Sequence, residues 1–324
     1  MIKRRLHHLL SFGLTLCLLW LSGCSAPPPE GWDNNSGVDV DAGADVLPEH
    51  RTLTVATYNV YLLFDTVCDS GECDSGDFER EPSEAEYQDR IEQVADAIRD
   101  LEADVVLLQE IEKEEVLLDL QEALDGAYPV AVQGELDWER PGSVDTAVLA
   151  TGELIDSRGY SDHRLTRPNG TRTWFAREFL RVDLQLDGDR VIVFTAHFVS
   201  KANGDDPGRR LAEAQEAREI IDEVAAANDD ALIVFGGDLN DTPDSDPLAA
   251  LTEEDGMYRA GKSSSTDEFY TYVYQQQRQA IDHLLLAPTS GGGYVSGTAH
   301  AVHDNGDGYG GSDHGAVVGQ FLLR

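Results

Sequence analysis

Asp238 and Asn240 stand two residues apart in the stretch LIVFGGDLNDTP, residues 232–243. A carboxylate and an amide at that spacing suit a metal-assisted phosphate site. Leu232, Ile233, Val234 and Phe235 before them form the short continuous apolar run of a strand buried on both faces. Gly236 and Gly237 then let the backbone turn or approach a ligand, and open α/β sheets place binding residues just past such strand ends. An ordinary Asx-rich turn has the same composition, so this stretch alone decides nothing. Further polar residues recur at predicted strand ends: Asn59, Gln109-Glu110, His197, Ile281-Asp282-His283 and Ser312-Asp313-His314. Ser161-Asp162-His163 repeats the Ser-Asp-His triplet in a predicted loop, so one triplet by itself is not specific. The chain contains no nucleophile elbow, Walker P-loop or H-E-x-x-H helix. Water, rather than a side chain, is therefore the expected nucleophile.

The elements that must position this set follow from periodicity. Residues 51–58 alternate apolar positions and predict a first strand, with Asn59 at its end. Tyr87, Ile91, Val94, Ile98 and Leu101 recur at helical spacing. Residues 104–109 predict a second buried strand ending in Glu110, and 116–124 a helix. Further strands are expected over 144–150, 179–186, 191–196, 280–286 and 316–322, with an Ala- and Glu-rich helix over 211–227. Strands alternate with helices early and come in pairs later, which predicts a mixed, layered α/β domain.

The first fifty residues read differently. Lys3, Arg4 and Arg5 precede an apolar run, Leu9 to Leu21, of signal-peptide length. It ends in Leu21-Ser22-Gly23-Cys24, which resembles a lipobox and makes Cys24 the expected lipidated residue. Residues 25–50 hold a Pro triplet, six acidic residues and no Lys or Arg, the composition of a disordered spacer. The expected organisation is a signal peptide over 1–23, a lipidated linker over 24–50 and one catalytic domain over 51–324. This would place the protein in the cell envelope, on a membrane through a lipid anchor, as a monomer with no protein partner. Cys68 and Cys73 would then close a small disulfide in an oxidising compartment.

The formal net charge is −37, from 24 Lys and Arg against 61 Asp and Glu. Removing residues 1–23 takes away three basic residues and no acidic one, leaving −40. Such a charge repels polyanions at long range and weighs against tight non-specific DNA binding. It does not exclude an enzyme that meets phosphate through a divalent metal.

The polar set, taken in order, resembles the endonuclease/exonuclease/phosphatase superfamily. The motifs are TYN (57–59), LLQEIE (107–112), FAREFLRVDL (175–184), TAHFVSK (195–201), GGDLNDTP (236–243), IDHLLL (281–286) and GSDHGAV (311–317). YNVYLLFD, HFVSK and FYTYVY are similar to a group of exported bacterial members. The resemblance implies a layered α/β sandwich of two packed mixed β-sheets flanked by helices, as in deoxyribonuclease I. It also implies a metal-dependent phosphoric ester hydrolase whose substrate is a nucleic acid, a phospholipid or a small phosphate.

Glu110 and Asp313 are hard oxygen ligands suited to Mg²⁺ or Mn²⁺, with Asn59 completing the metal site or orienting the phosphate. The resemblance assigns His314 as base or phosphate-polarising group, oriented by Asp282, and His197 to the leaving oxygen or the phosphate. Asp238 would position or deprotonate the attacking water, and Asn240 would donate to a phosphate oxygen. Arg177 falls on a phosphate-binding arginine, although a surface ion pair with Glu178 would suit it equally. His163, His283, His300 and His303 are expected to be structural. Tyr61 stands where apurinic endonucleases carry an acidic residue, which weakens a reading as an abasic-site enzyme. The Asp/Gly-rich loops 69–77 and 303–311 could hold structural Ca²⁺, but neither fits the EF-hand pattern, and solvated loops are the simpler reading. A binding protein on a retired scaffold would be expected to have lost members of this set.

Overall fold

Two β-sheets lie face to face in the computed structural model, with helices on both outer sides. The structure describes residues 51–134, 141–202, 204–265, 268–289, 291–304 and 306–324. The expected leader, Cys24 and the acidic spacer lie outside the described residues. Among the described residues no helix is long and apolar enough to cross a membrane.

The first sheet runs in the order β15 (Gly292–Tyr294), β17 (Ala316–Leu323), β1 (Thr52–Leu63), β2 (Val105–Ile111), β4 (Asp145–Ala150) and β3 (Val130–Gln133). Strand β16 (His300–Val302) also pairs with β17. The second runs β11 (Tyr258–Arg259), β14 (Asp282–Leu286), β10 (Leu232–Asp238), β9 (Asp189–His197), β8 (Leu180–Leu186) and β5 (Glu153–Gly159). Two short ribbons stand apart, β6 (Leu165–Thr166) with β7 (Arg172–Thr173) and β12 (Tyr272–Tyr274) with β13 (Gln277–Gln279). Both sheets are mixed: β1 pairs parallel with β2 and β9 parallel with β10, while the flanking pairs are antiparallel.

Strand periodicity sorts the apolar residues into three layers. Val55, Val105, Leu107, Val193, Leu232, Val234 and Leu284 fill the space between the sheets. Their strand neighbours Ala56, Val106 and Leu108 face α1 (Glu84–Asp100) and α2 (Glu114–Ala123). Ile192, Phe194, Ile233 and Phe235 face α3 (Pro207–Ala227) and α4 (Asp246–Thr252). The continuous apolar run at 232–235 is thus buried on both faces, as its composition predicts. Helix α1 opens on a capping box between Ser83 and Glu86.

Several elements differ from expectation. Strand β1 does not stop before Asn59 but continues to Leu63 through a register shift. Strand β2 likewise passes through Glu110 to Ile111. The short strands β3, β5, β11, β15 and β16 and the helix α4 were not expected. Strand β5 is exposed along its whole length, so its residues carry no buried-face alternation to read.

Candidate active site

The inward face of each sheet ends in polar residues at one rim of the sandwich. Along β1 the residues after Val55 on that face are Thr57 and Asn59. On β9 they are Thr195 and His197, and on β10 Gly236 and Asp238. Register sets the last three neighbours side by side, with Asp238 opposite His197 on β9 and Asp282 on β14. Beneath them the Gln109 side-chain amide donates to Thr57 Oγ1 at 3.2 Å and Thr195 Oγ1 at 3.1 Å. This polar layer separates the site from the apolar core. Gly237 permits the close spacing of β9 and β10: its φ is 152°, and a Cβ there would come within 2.0 Å of the Ala196 carbonyl oxygen.

His314 is delivered by the segment before β17. Its Nδ1–H donates to Asp282 Oδ2 at 2.9 Å, which directs Nε2 towards Asp238 Oδ2, 3.8 Å away. Ser312 fixes this turn, its hydroxyl donating to the Asn59 carbonyl at 2.7 Å and accepting the His314 N–H at 3.0 Å. Thr271 Oγ1 accepts the backbone N–H groups of Ile281 and Asp282, both at 3.1 Å. His197 Nε2 lies 3.5 Å from the same Asp238 oxygen, and its Nδ1 has no partner. Asn240 Nδ2 donates to the Phe198 carbonyl at 3.0 Å, and its backbone N–H donates to Asp238 Oδ1 at 2.9 Å. The second amide hydrogen of Asn240 remains available to a substrate.

The acidic side of the rim is built from irregular backbone. Tyr61, Leu62 and Glu110 all have positive φ, at 60°, 49° and 69°, a conformation that side chains with a Cβ adopt rarely and that gathers at functional sites. The turn at Leu62 lets its N–H donate to Glu110 Oε2 at 2.7 Å. Asn59 sits between the two carboxylates. Its Oδ1 accepts the Tyr61 N–H at 3.0 Å, while its Nδ2 donates to Glu110 Oε1 at 3.2 Å and Asp238 Oδ2 at 3.1 Å. The amide therefore turns its nitrogen, not its oxygen, to the carboxylates and bridges them. Asp313 is exposed at the mouth.

Charge at the site is tightly coupled. Burial opposes the imidazolium of His314, but Asp282 and Asp238 more than offset it and push its pKa up to about 10. Burial and the Asp282 charge push Asp238 up to about 7, with His314 opposing. Burial raises the Glu110 carboxyl too; His314 counters that shift and Asp313 adds to it. His197 moves the other way, held well below its ordinary value by burial and by the Arg177 and His314 charges. It is a neutral imidazole near pH 7.

Arg177 reaches this neighbourhood without the expected surface ion pair. Glu178 instead accepts the Tyr160 N–H, and Arg177 makes no ion pair among the described residues. Its Nε is buried without a partner, while Nη1 donates to the Ala176 carbonyl at 2.9 Å. Glu213 of α3, fully buried, holds this loop: Oε1 accepts the Ala176 N–H at 2.7 Å and Oε2 the Val199 N–H at 2.9 Å. One carboxylate thus ties the Arg177 loop to the segment that follows His197. Glu213 escapes sequence reasoning because a Glu in an Ala- and Glu-rich helix reads as solvent-facing. Ser312 leaves only the faint signal of a hydroxyl beside an Asp and a His, and Thr271, between two tyrosines, leaves none.

Glu110 and Asp313 fit a divalent metal. Both offer hard oxygens, Glu110 is buried against its own charge, and Asp313 adds a second negative charge to it. Asp238, Asp282 and His314 also have possible ligand atoms within 4.8 Å of one another. There, however, the His314 Nδ1–H is committed to Asp282, the arrangement of an oriented imidazole. The remaining histidines among the described residues have local duties. His163 pairs with Glu216 at 2.8 Å, His283 Nε2 bonds the Asp241 carbonyl at 2.9 Å, and His300 Nδ1 bonds the Thr298 carbonyl at 2.9 Å. The His303 ring stacks on Tyr270. A disulfide joins Cys68 and Cys73 in the loop after β1.

The chain belongs to the endonuclease/exonuclease/phosphatase family, whose pattern residues 54–289 match. Membership makes it a metal-dependent phosphoric ester hydrolase. Solved structures similar in fold include an endonuclease/exonuclease/phosphatase from Bacteroides vulgatus. It is 18% identical with a TM-score of 0.58, over 85% of this chain and 100% of that one. The human Nocturnin catalytic domain with bound sulfate is 14% identical with a TM-score of 0.58, over 84% and 95%. D. rerio TDP2 complexed with a single strand DNA product is 16% identical with a TM-score of 0.55, over 83% and 98%. No curated protein matches the chain.

Proposed function

We propose that the protein is a phosphodiesterase with nuclease-like chemistry, acting outside the cytoplasm from a lipid anchor on Cys24. The observation that carries the catalytic part is the His314–Asp282 pair facing Asp238, with His197 near the same carboxylate oxygen. The leader, the lipobox-like Leu21-Ser22-Gly23-Cys24 and the acidic spacer support the location, and the domain over 51–324 is read as a monomer. Glu110 and Asp313 would hold Mg²⁺ or Mn²⁺, with Asn59 keeping Glu110 and Asp238 apart and oriented. When bound, the ion supplies charge neutralisation and polarisation of a phosphoryl oxygen.

The chain's own residues account for the rest. Asp238, pushed up by burial, orients a water and accepts its proton. His314, kept cationic by Asp282 and Asp238, donates from Nε2 to a phosphoryl oxygen as charge builds there. His197 enters neutral and donates a hydrogen bond to the leaving side. Asn240 donates its free amide hydrogen, and Arg177 meets the phosphate charge. D. rerio TDP2, complexed with single strand DNA product, supports a nucleic acid over other diesters.

The test is turnover of plasmid DNA and bis-(p-nitrophenyl) phosphate by the full chain with Mg²⁺, Mn²⁺ or Ca²⁺. Metal-dependent cleavage of both, lost in His314→Ala and Asp238→Asn, is expected. Cleavage of neither by a folded, metal-loaded protein would refute the phosphodiesterase reading, leaving phosphomonoesters to be tried.

A further inference from the structure

Beside the phosphate chemistry the rim carries an aromatic lining that the reaction does not use. The Tyr272 ring lies 4.8 Å from the His314 ring, tilted by 32°, and the two backbones form an antiparallel bridge. Two residues further along the same hairpin, Tyr274 is 53% exposed. Tyr61 belongs to the left-handed bulge after Asn59. The Arg80 guanidinium carbon lies 5.3 Å from its ring centroid, and Arg80 Nη2 donates to its hydroxyl at 3.1 Å. Tyr61 is tied to the same rim through its N–H, which donates to Asn59 Oδ1, while Asn59 Nδ2 donates to the Asp238 oxygen that His314 faces. The hairpin is braced from behind, where Arg278 covers Tyr270 and Tyr270 stacks on His303 at 4.2 Å.

We propose that Tyr61, Tyr272 and Tyr274, with Arg80, form a subsite that stacks unpaired nucleobases next to the scissile phosphate, making single-stranded nucleic acid the substrate class. The proposal rests on the phosphodiesterase reading of the same site. Every base has a π-face, so stacking on tyrosine tolerates sequence and needs an unpaired strand. A net charge of −37 repels the polyanionic backbone of a duplex at long range. Affinity must come from base faces and a few local cations. Arg80 supplies one, exposed and making no ion pair among the described residues; its planar fork suits a phosphate beside a stacked base. The same guanidinium opposes the other occupant of an aromatic wall, a quaternary-ammonium lipid head group, by like charge on Tyr61.

The experiment measures binding by fluorescence anisotropy with Mg²⁺ present, using full-length His314→Ala protein so that turnover is not required. Asp238→Asn serves as a second background should the first fold poorly. The probes are a labelled oligothymidylate and an abasic oligomer of equal length and charge. The base-bearing strand is expected to bind at least about tenfold tighter, the scale of one or more base stacks. Adding Tyr274→Ala should erode that ratio, and adding Tyr61→Ala as well should abolish it, with abasic binding little changed. Equal binding of the two oligomers, equal weakening of both by the tyrosine changes, or preference for duplex would overturn the proposal. Tyr274-dependent binding to phosphatidylcholine vesicles without discrimination between the oligomers would overturn it in favour of lipid. Wild-type turnover of bis-(p-nitrophenyl) phosphate tests the underlying reading separately: turnover without base discrimination sinks only the stacking subsite.

Discussion

The two sheets contribute to one site in opposite ways. The second sheet presents His197, Asp238 and Asp282 from adjacent, regular strands, in register and buried. The first sheet presents Asn59 and Glu110 from bulged strands whose backbone enters the left-handed region. Regular pairing fixes side chains to the spacing of the strands, which suits a proton relay that must stay dry and aligned. A carboxylate meant for a metal must instead reach out to the mouth beside the exposed Asp313. The alternation of the strand would turn Glu110 to the helix side, and the bulge reverses it. In the proposed reading, proton handling thus falls to ordinary β geometry, and metal ligation to a local departure from it.

The largest effect should come from the imidazole that the first sheet delivers and the second sheet orients through Asp282. His314→Ala is expected to lower kcat about a thousandfold, within the range for loss of one positioned acid or base, without changing the metal concentration needed for half-activation. The wild-type rate should fall below about pH 7, because Asp238, pushed up to about 7 by burial and Asp282, is then protonated and accepts nothing. Raising the metal concentration should move that limb to lower pH, since a cation beside Glu110 favours ionised neighbours. Unchanged metal half-activation in Glu110→Gln would break the comparison. That variant is expected to need at least about tenfold more metal and to lose the metal-dependent rise in Tm.

Gly237→Ala tests the close strand spacing. It forces a Cβ onto the Ala196 carbonyl and should cost about 2 kcal/mol of stability, read by urea denaturation, with activity falling alongside. A change at Glu213 should be mildest. Glu213→Gln keeps one acceptor of two and is expected to reduce kcat/KM about tenfold, the scale of one lost charge-assisted hydrogen bond. Burial lifts this carboxyl from 4.5 to about 7. Its contribution to stability is therefore complete below pH 4.5 and is lost as pH rises through 7. The Tm of the variant relative to wild type should improve over that interval, and a parallel pair of Tm–pH curves would remove Glu213 from this role.

Much of the second-sheet half was legible in the sequence, because an unbroken apolar run marks a strand buried on both faces, and Gly-Gly-Asp at its end gained meaning from the other polar residues at predicted strand ends. His197, Asp282 and His314 followed by the same logic of strand ends. The first-sheet half was legible in membership but not in conformation. Nothing in YNVYLL announces two left-handed residues, or an Asn59 oxygen bound to the Tyr61 N–H. The short edge strands were hidden for a different reason. Glu153–Gly159 is held by pairing to β8 alone and has no buried face to imprint a period. Glu213 was hidden because helix position, not residue type, decides whether a glutamate faces water.

The pairing of β1 with β17 has a consequence for the order in which the molecule matures. Val55 meets Gly319 and Thr57 meets Val317, so a strand from near the start of the described chain is completed by its last one. Loop closure over such a separation comes late in folding, and His314 arrives only with that closing strand. A partly folded chain can hold its acidic side and its second sheet in place and still have no imidazole aimed at Asp238. The imidazole and its partner Asp238 are thus brought together only when both ends of the described chain are paired.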